Sequence, residues 1–102
     1  MADAGVEISE KIARQIERIA KESIEIDLMI IRYLKEDLEE LRRLAKREKI
    51  SATRLLALIL DGVKKGLLRS GKMGMEEINR ILGRARSELS KEREASPPEK
   101  RA

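Results

Sequence analysis

The chain has 102 residues, 23 Lys/Arg against 19 Asp/Glu, no Cys, no His and one aromatic residue, Tyr33. That inventory fits one domain and excludes thiolate and imidazole metal ligands, Cys or His-assisted Ser nucleophiles, and any row of rings for stacking unpaired bases. The net charge of +4 hides a strong asymmetry: residues 1–41 carry a net −5, residues 42–72 a net +8 and residues 73–102 a net +1.

From Val6 through Asp61 there is neither Gly nor Pro, which favours helices joined by short turns. At about 100° per residue, Ile8, Ile12, Ile16, Ile19, Ser23, Ile26, Ile30, Leu34, Leu38, Leu41 and Ala45 form one apolar stripe. The stripe fits either one long helix or two segments broken near Ser23–Asp27, where β-branched residues and potential caps gather. Ser51 reads as a helix cap with Ile50 and Leu55 as its hydrophobic staple. Leu55, Leu56, Ile59, Leu60, Val63 and Leu67 form the apolar arc of the helix that follows. Residues 70–74 read as a loop, and Met75 to about Glu92 as a final helix burying Ile78, Ile81, Leu82, Ala85 and Leu89. The remainder, residues 95–102 with Pro97-Pro98, reads as a disordered tail. The expected architecture is an all-α or nearly all-α single domain over residues 1–94, with a helical bundle containing a long N-terminal helix as the alternative.

Ileu-, Leu-, Val- and Met-rich stripes must supply the core, and a chain this short buries a modest fraction of its surface alone, so a homodimer is expected. Ile24, Leu28, Met29 and Leu58 lie off the main stripes and read as packing residues against a second surface. No apolar run approaches a membrane span of about 20 residues, and MADAGVEISE lacks the basic-then-apolar layout of a signal peptide. With no cysteine, a cytoplasmic setting is expected.

Gly66-Leu67-Leu68-Arg69-Ser70-Gly71-Lys72 satisfies G-x4-G-K, but Met73 stands where a phosphate-cradling loop needs Ser or Thr, and the preceding residues read as helix rather than strand. It is read as a chance match. The basic segment carries more information. Arg42, Arg43, Arg47, Lys64, Lys65, Arg69 and Lys72 are candidate phosphate contacts, against the alternative of a solvated helix surface laced with intrahelical pairs such as Glu39 to Arg43.

Residues 28–66 contain Leu41-Arg42-Arg43-Leu44-Ala45-Lys46-Arg47-Glu48-Lys49-Ile50-Ser51-Ala52-Thr53-Arg54-Leu55-Leu56, followed by Val63-Lys64-Lys65-Gly66. This stretch resembles the ribbon-helix-helix repressors and antitoxins. The resemblance implies that Leu28–Tyr33 forms a ribbon shared across a dimer, with Met29, Ile31 and Tyr33 in the core and Leu28, Ile30 and Arg32 toward DNA. Of the outward three, only Arg32 suits base-edge recognition. It also implies that the amides around Ser51 and Thr53 hold a phosphate. Lys49 replaces the Gly customary at the preceding turn, and the helix before the ribbon is a further departure.

The sequence is therefore read as a non-catalytic DNA-binding regulator, a small repressor or antitoxin-like protein, with no cofactor and no metal. Arg32, Arg42, Arg43, Ser51, Thr53, Arg54, Lys64 and Lys65 are its candidate contacts. Expected partners are a second copy, double-stranded DNA and, by family analogy, a toxin or other protein, with no membrane. The alternative is a structural interaction module forming a homo-oligomeric bundle.

Overall fold

The computed structural model describes residues 4–94, and the expected tail at 95–102 lies outside them. Four helices account for nearly all of the described residues: α1 (Ala4–Glu22), α2 (Ile26–Arg47), α3 (Ala52–Ser70) and α4 (Met75–Glu94). No strand occurs among the described residues.

The long apolar stripe is thus divided at residues 23–25. Ile8, Ile12, Ile16 and Ala20 of α1 and Ile30, Leu34, Leu38, Leu41 and Ala45 of α2 are all buried. A straight helix through both would run about 1.5 Å per residue and leave a single stripe without a partner, so folding back is what covers both halves. Ile24 falls in the break and is 99% exposed.

The expected ribbon at Leu28–Tyr33 is instead the first part of α2. A ribbon would alternate, placing Met29, Ile31 and Tyr33 on one side. The observed burial of Ile30, Ile31, Leu34 and Leu38, with Leu28 and Met29 exposed, has the spacing of a helix. The apolar period that continues to Ala45 propagates back through these residues and overrides their β-branched character.

Cross-helix pairs fix the directions. Ser9 bonds Asp61 and Lys11 pairs with Glu40, so α1 runs parallel to α3 and antiparallel to α2. Asp27 pairs with Arg80 and Lys35 with Glu88, so α2 and α4 are parallel. The helices touch in the cyclic order α1, α2, α4, α3, with α2 also reaching α3 and with α1 and α4 out of contact. Two ends result. One gathers the α1–α2 and α3–α4 turns, and the other the α2–α3 turn.

The closest helix pair is α1 with α3. Gly62 and Gly66 make it possible, since a Cβ at Gly62 would lie 2.7 Å from the Ser9 carbonyl oxygen and one at Gly66 2.6 Å from that of Ala13. Leu58 is buried beside this seam, so the second surface expected for it is within the same chain. Gly66 therefore serves helix packing, and the G-x4-G-K string sits on a helix and its C-terminal turn rather than on a phosphate loop.

Both ends of α3 are capped as its sequence suggests. The Ser51 Oγ accepts from the Arg54 amide at 3.1 Å, and Ile50 packs on the core. Gly71, with φ of 66°, closes the C-terminus through its amide to the Leu68 carbonyl. The end of α2 uses the same left-handed geometry with a different residue. Lys49 has φ of 59°, and the Ile50 amide donates to the Ala45 carbonyl at 2.8 Å.

Candidate nucleic-acid interface

The α2–α3 turn extends past the described end of α4. Asp27 with Arg80 and Lys35 with Glu88 share an offset of 53 residues, and carrying that register onward brings Glu94 level with Leu41. The offset of 52 between Ser9 and Asp61 likewise brings Ala4 level with Leu56. Residues 42–54 therefore form the tip of a helical hairpin that projects beyond the described end of α4, while the Lys11–Glu40 pair brings Ala4 of α1 level with Arg47.

That tip carries Arg42, Arg43, Lys46, Arg47, Lys49 and Arg54 against one acid, Glu48, all of them exposed. Arg47 pairs with Glu48 at 3.7 Å, a loose contact on the surface. Arg42, Arg43, Lys46, Lys49 and Arg54 have no acidic partner among the described residues. Elsewhere cations are largely paired: Lys11 with Glu40, Lys35 with Glu88, Lys65 with Asp61, Arg69 with Glu10, and Arg80 and Arg84 with Asp27. The N-terminus of α3 adds its partial positive charge to the tip, because Ser51 satisfies the Arg54 amide and no intrahelical carbonyl faces those of Ala52 and Thr53.

Five of the eight sequence-derived contacts, Arg42, Arg43, Ser51, Thr53 and Arg54, lie at the hairpin end, with Arg42 on the groove between α2, α3 and α4 and Arg54 on the α1 side of α3, in the cleft that Ser9, Asp61 and Lys65 line. The structure separates the other three. Arg32 lies on the outer face of α2 toward the opposite end and holds Glu36 at 3.0 Å. Lys64 is exposed on α3, nearly three turns beyond the hairpin tip. Lys65 is half-buried in a polar clasp between α1 and α3, where its Nζ donates to the Ser9 Oγ at 3.4 Å and pairs with Asp61 at 3.1 Å.

The clasp has its own electrostatic logic. Ser9 is 1% exposed and donates to Asp61 Oδ2 at 2.8 Å. That hydrogen bond, then the Lys65 ammonium, holds the Asp61 carboxyl below the usual aspartate range. One turn further along, Arg69 forks onto Glu10, with one limb at 2.9 Å, and depresses the Glu10 carboxyl. Ser9, Asp61 and Lys65 thus set the α1–α3 register, and the buried Ser9 hydroxyl is closed to a substrate. No group of three or more acidic side chains placed to hold a metal occurs among the described residues.

Lys46 and Lys49 belong to the tip but were not among the sequence-derived contacts. The signal was the six cations in residues 42–54. None of the described helices is long and apolar enough to cross a membrane. Comparison with known protein families, curated protein sequences and solved structures returned no match.

Proposed function

We propose that this chain binds double-stranded DNA without catalysis, laying the α2–α3 hairpin tip against the phosphate backbone. The observation that carries the reading is the segregation of charge. Five cations without an acidic partner among the described residues lie within residues 42–54, around the α2–α3 turn, while most other cations are paired. Exposed Lys and Arg held near one another, with a helix N-terminus between them, suit a polyanion whose charges repeat along a line. A repressor-like form of this reading needs an element that reads base edges. With Leu28–Tyr33 helical, the reading rests on backbone contact, and sequence preference would come from duplex shape.

Replacing Arg42, Arg43 and Lys46 together by Gln tests the proposal by duplex titration at low salt, with circular dichroism to confirm the fold. Loss of about 10-fold or more in affinity supports it, with the dependence of log affinity on log salt shallower by about 2.7 for three lost phosphate contacts. Arg32→Gln and Lys64→Gln should bind as the parent does. Equal losses from the tip and from these controls would remove the tip as the interface.

A second reading, a helical interaction module, is favoured by a different observation. Ile24 (99% exposed), Leu28, Met29, Leu68 and Met75 all lie at the end opposite the tip. Self-association there would leave the tips of both copies free, and a toxin or other protein partner would use the same end. Sedimentation of Ile24→Lys against the parent separates this reading, since it leaves the tip untouched.

A further inference from the structure

Beneath the hairpin tip, α2, α3 and the end of α4 enclose an open groove of about 440 Å³. Its floor is apolar, formed by Leu38, Ala45, Leu55, Ile59 and Leu89, each less than a tenth exposed. Its mouth is cationic. Arg42 and Lys46 stand on the α2 wall without an acidic partner among the described residues, and Ala52 opposite them begins α3. Among the described side chains, no carboxylate lines the groove.

This asymmetry specifies an occupant. Ligand sites of a few hundred cubic ångströms are mostly apolar, with a few polar groups fixing orientation. Here both charged lining groups are positive, and the first amides of α3 add to them. A neutral hydrocarbon would leave that positive field unanswered, and a cationic amphiphile would be repelled. The chain's own residues 95–102 offer no large apolar side chain and carry Lys100 and Arg101 against Glu99 alone.

We infer that the groove binds a single-chain anionic amphiphile, its hydrocarbon tail on Leu38, Leu55, Ile59 and Leu89 and its headgroup between Arg42, Lys46 and the α3 N-terminus. Carboxylate and phosphate heads share the required chemistry. An Arg42 guanidinium receives either as a bidentate partner. The inference concerns the groove alone and stands whether or not the tip binds DNA.

Isothermal titration of the full chain with dodecanoate and with dodecyl phosphate, below their micelle concentrations, tests it. Dodecanol and dodecyltrimethylammonium serve as head-group controls. Saturable one-to-one binding of either anion, at least 10-fold tighter than both controls, is expected, and the stronger of the two anions identifies the head. R42E/K46E should lose at least 10-fold while keeping its helicity. Ala52→Trp, which fills the mouth from an exposed position, should lose binding with both cations intact. Equal affinity for all four probes, or anion binding that survives Ala52→Trp, would overturn the assignment.

Discussion

Replacing Gly66 by Ala puts the α1–α3 seam under direct test. In an open helix this change is favourable by about 1 kcal/mol, because Ala has the higher helix propensity. At Gly66 the new Cβ would meet the Ala13 carbonyl oxygen at 2.6 Å, Ile16 Cβ at 2.6 Å and the Glu17 amide nitrogen at 2.9 Å. Ordinary contact begins near 3.4 Å, so α1 must retreat by about 0.8 Å, and two of the three obstacles are backbone atoms with no rotamer to change. That retreat loosens Ile12 and Ile16, both fully buried. Overpacking of this kind costs about 1–3 kcal/mol, and the missing freedom to relax puts Gly66→Ala at the upper end. The net effect is about 2 kcal/mol of destabilisation, lowering Tm by about 8–16 °C in a domain this size. Gly83→Ala is the matched control. Nothing lies within 4 Å of a Cβ there, so the propensity gain stands alone and Tm should rise by a few degrees. Thermal unfolding followed by circular dichroism measures both. Gly66→Ala as stable as the parent would refute the close approach of α1 and α3.

Lys49→Gly should stabilise the fold by about 1 kcal/mol, because Gly meets no Cβ penalty at the left-handed position, and it should also weaken duplex binding by removing a tip cation. Urea unfolding and duplex titration of the same variant read the two effects separately. Tyr33 is the only aromatic residue, so tyrosinate absorbance reports it alone. Burial, then the nearby Asp37, pushes its pKa up to about 12. A raised folded value means that the stabilisation is complete below pH 10 and disappears as pH climbs through about 12, and a midpoint near 10 in the folded protein would contradict the burial. At the acid end the sign reverses. Asp61 is depressed by Ser9, Glu10 by Arg69 and Glu88 by Lys35. These groups contribute fully above the ordinary carboxylate range, so the urea midpoint should hold near neutrality and fall as pH drops below about 4. Ser9→Ala should make that fall shallower.

Periodicity made most of the fold legible. Ile8 to Ala45 lie on one stripe, and Ser51, Gly71 and the arc from Leu55 to Leu67 mark the limits of α3 as the structure has them. Whether the stripe was one helix or two depended on what covers it. That is a tertiary question, settled by α3 and α4 lying against its halves. The ribbon expectation rested on the resemblance to ribbon-helix-helix proteins, whereas Ile30, Ile31, Leu34 and Leu38 keep helical spacing. At the candidate interface, composition located the charged segment. Which cations are free depended in part on partners distant in sequence, such as Ser9 beside Lys65 or Glu10 on Arg69. Lys46 and Lys49 gain their place only when the turn is seen to extend past the described end of α4.

The salt dependence of duplex affinity tests the central claim most directly, because it counts the phosphates that the protein neutralises. If Arg42, Arg43, Lys46, Lys49 and Arg54 each meet one, log affinity falls against log salt with a slope of about −4.5, or about 500-fold between 50 and 200 mM. Each of these residues changed to Gln should reduce the slope by about 0.9. A slope near zero, or one that stays unchanged when Arg42 and Lys46 are both replaced, would contradict a DNA-binding role for the tip.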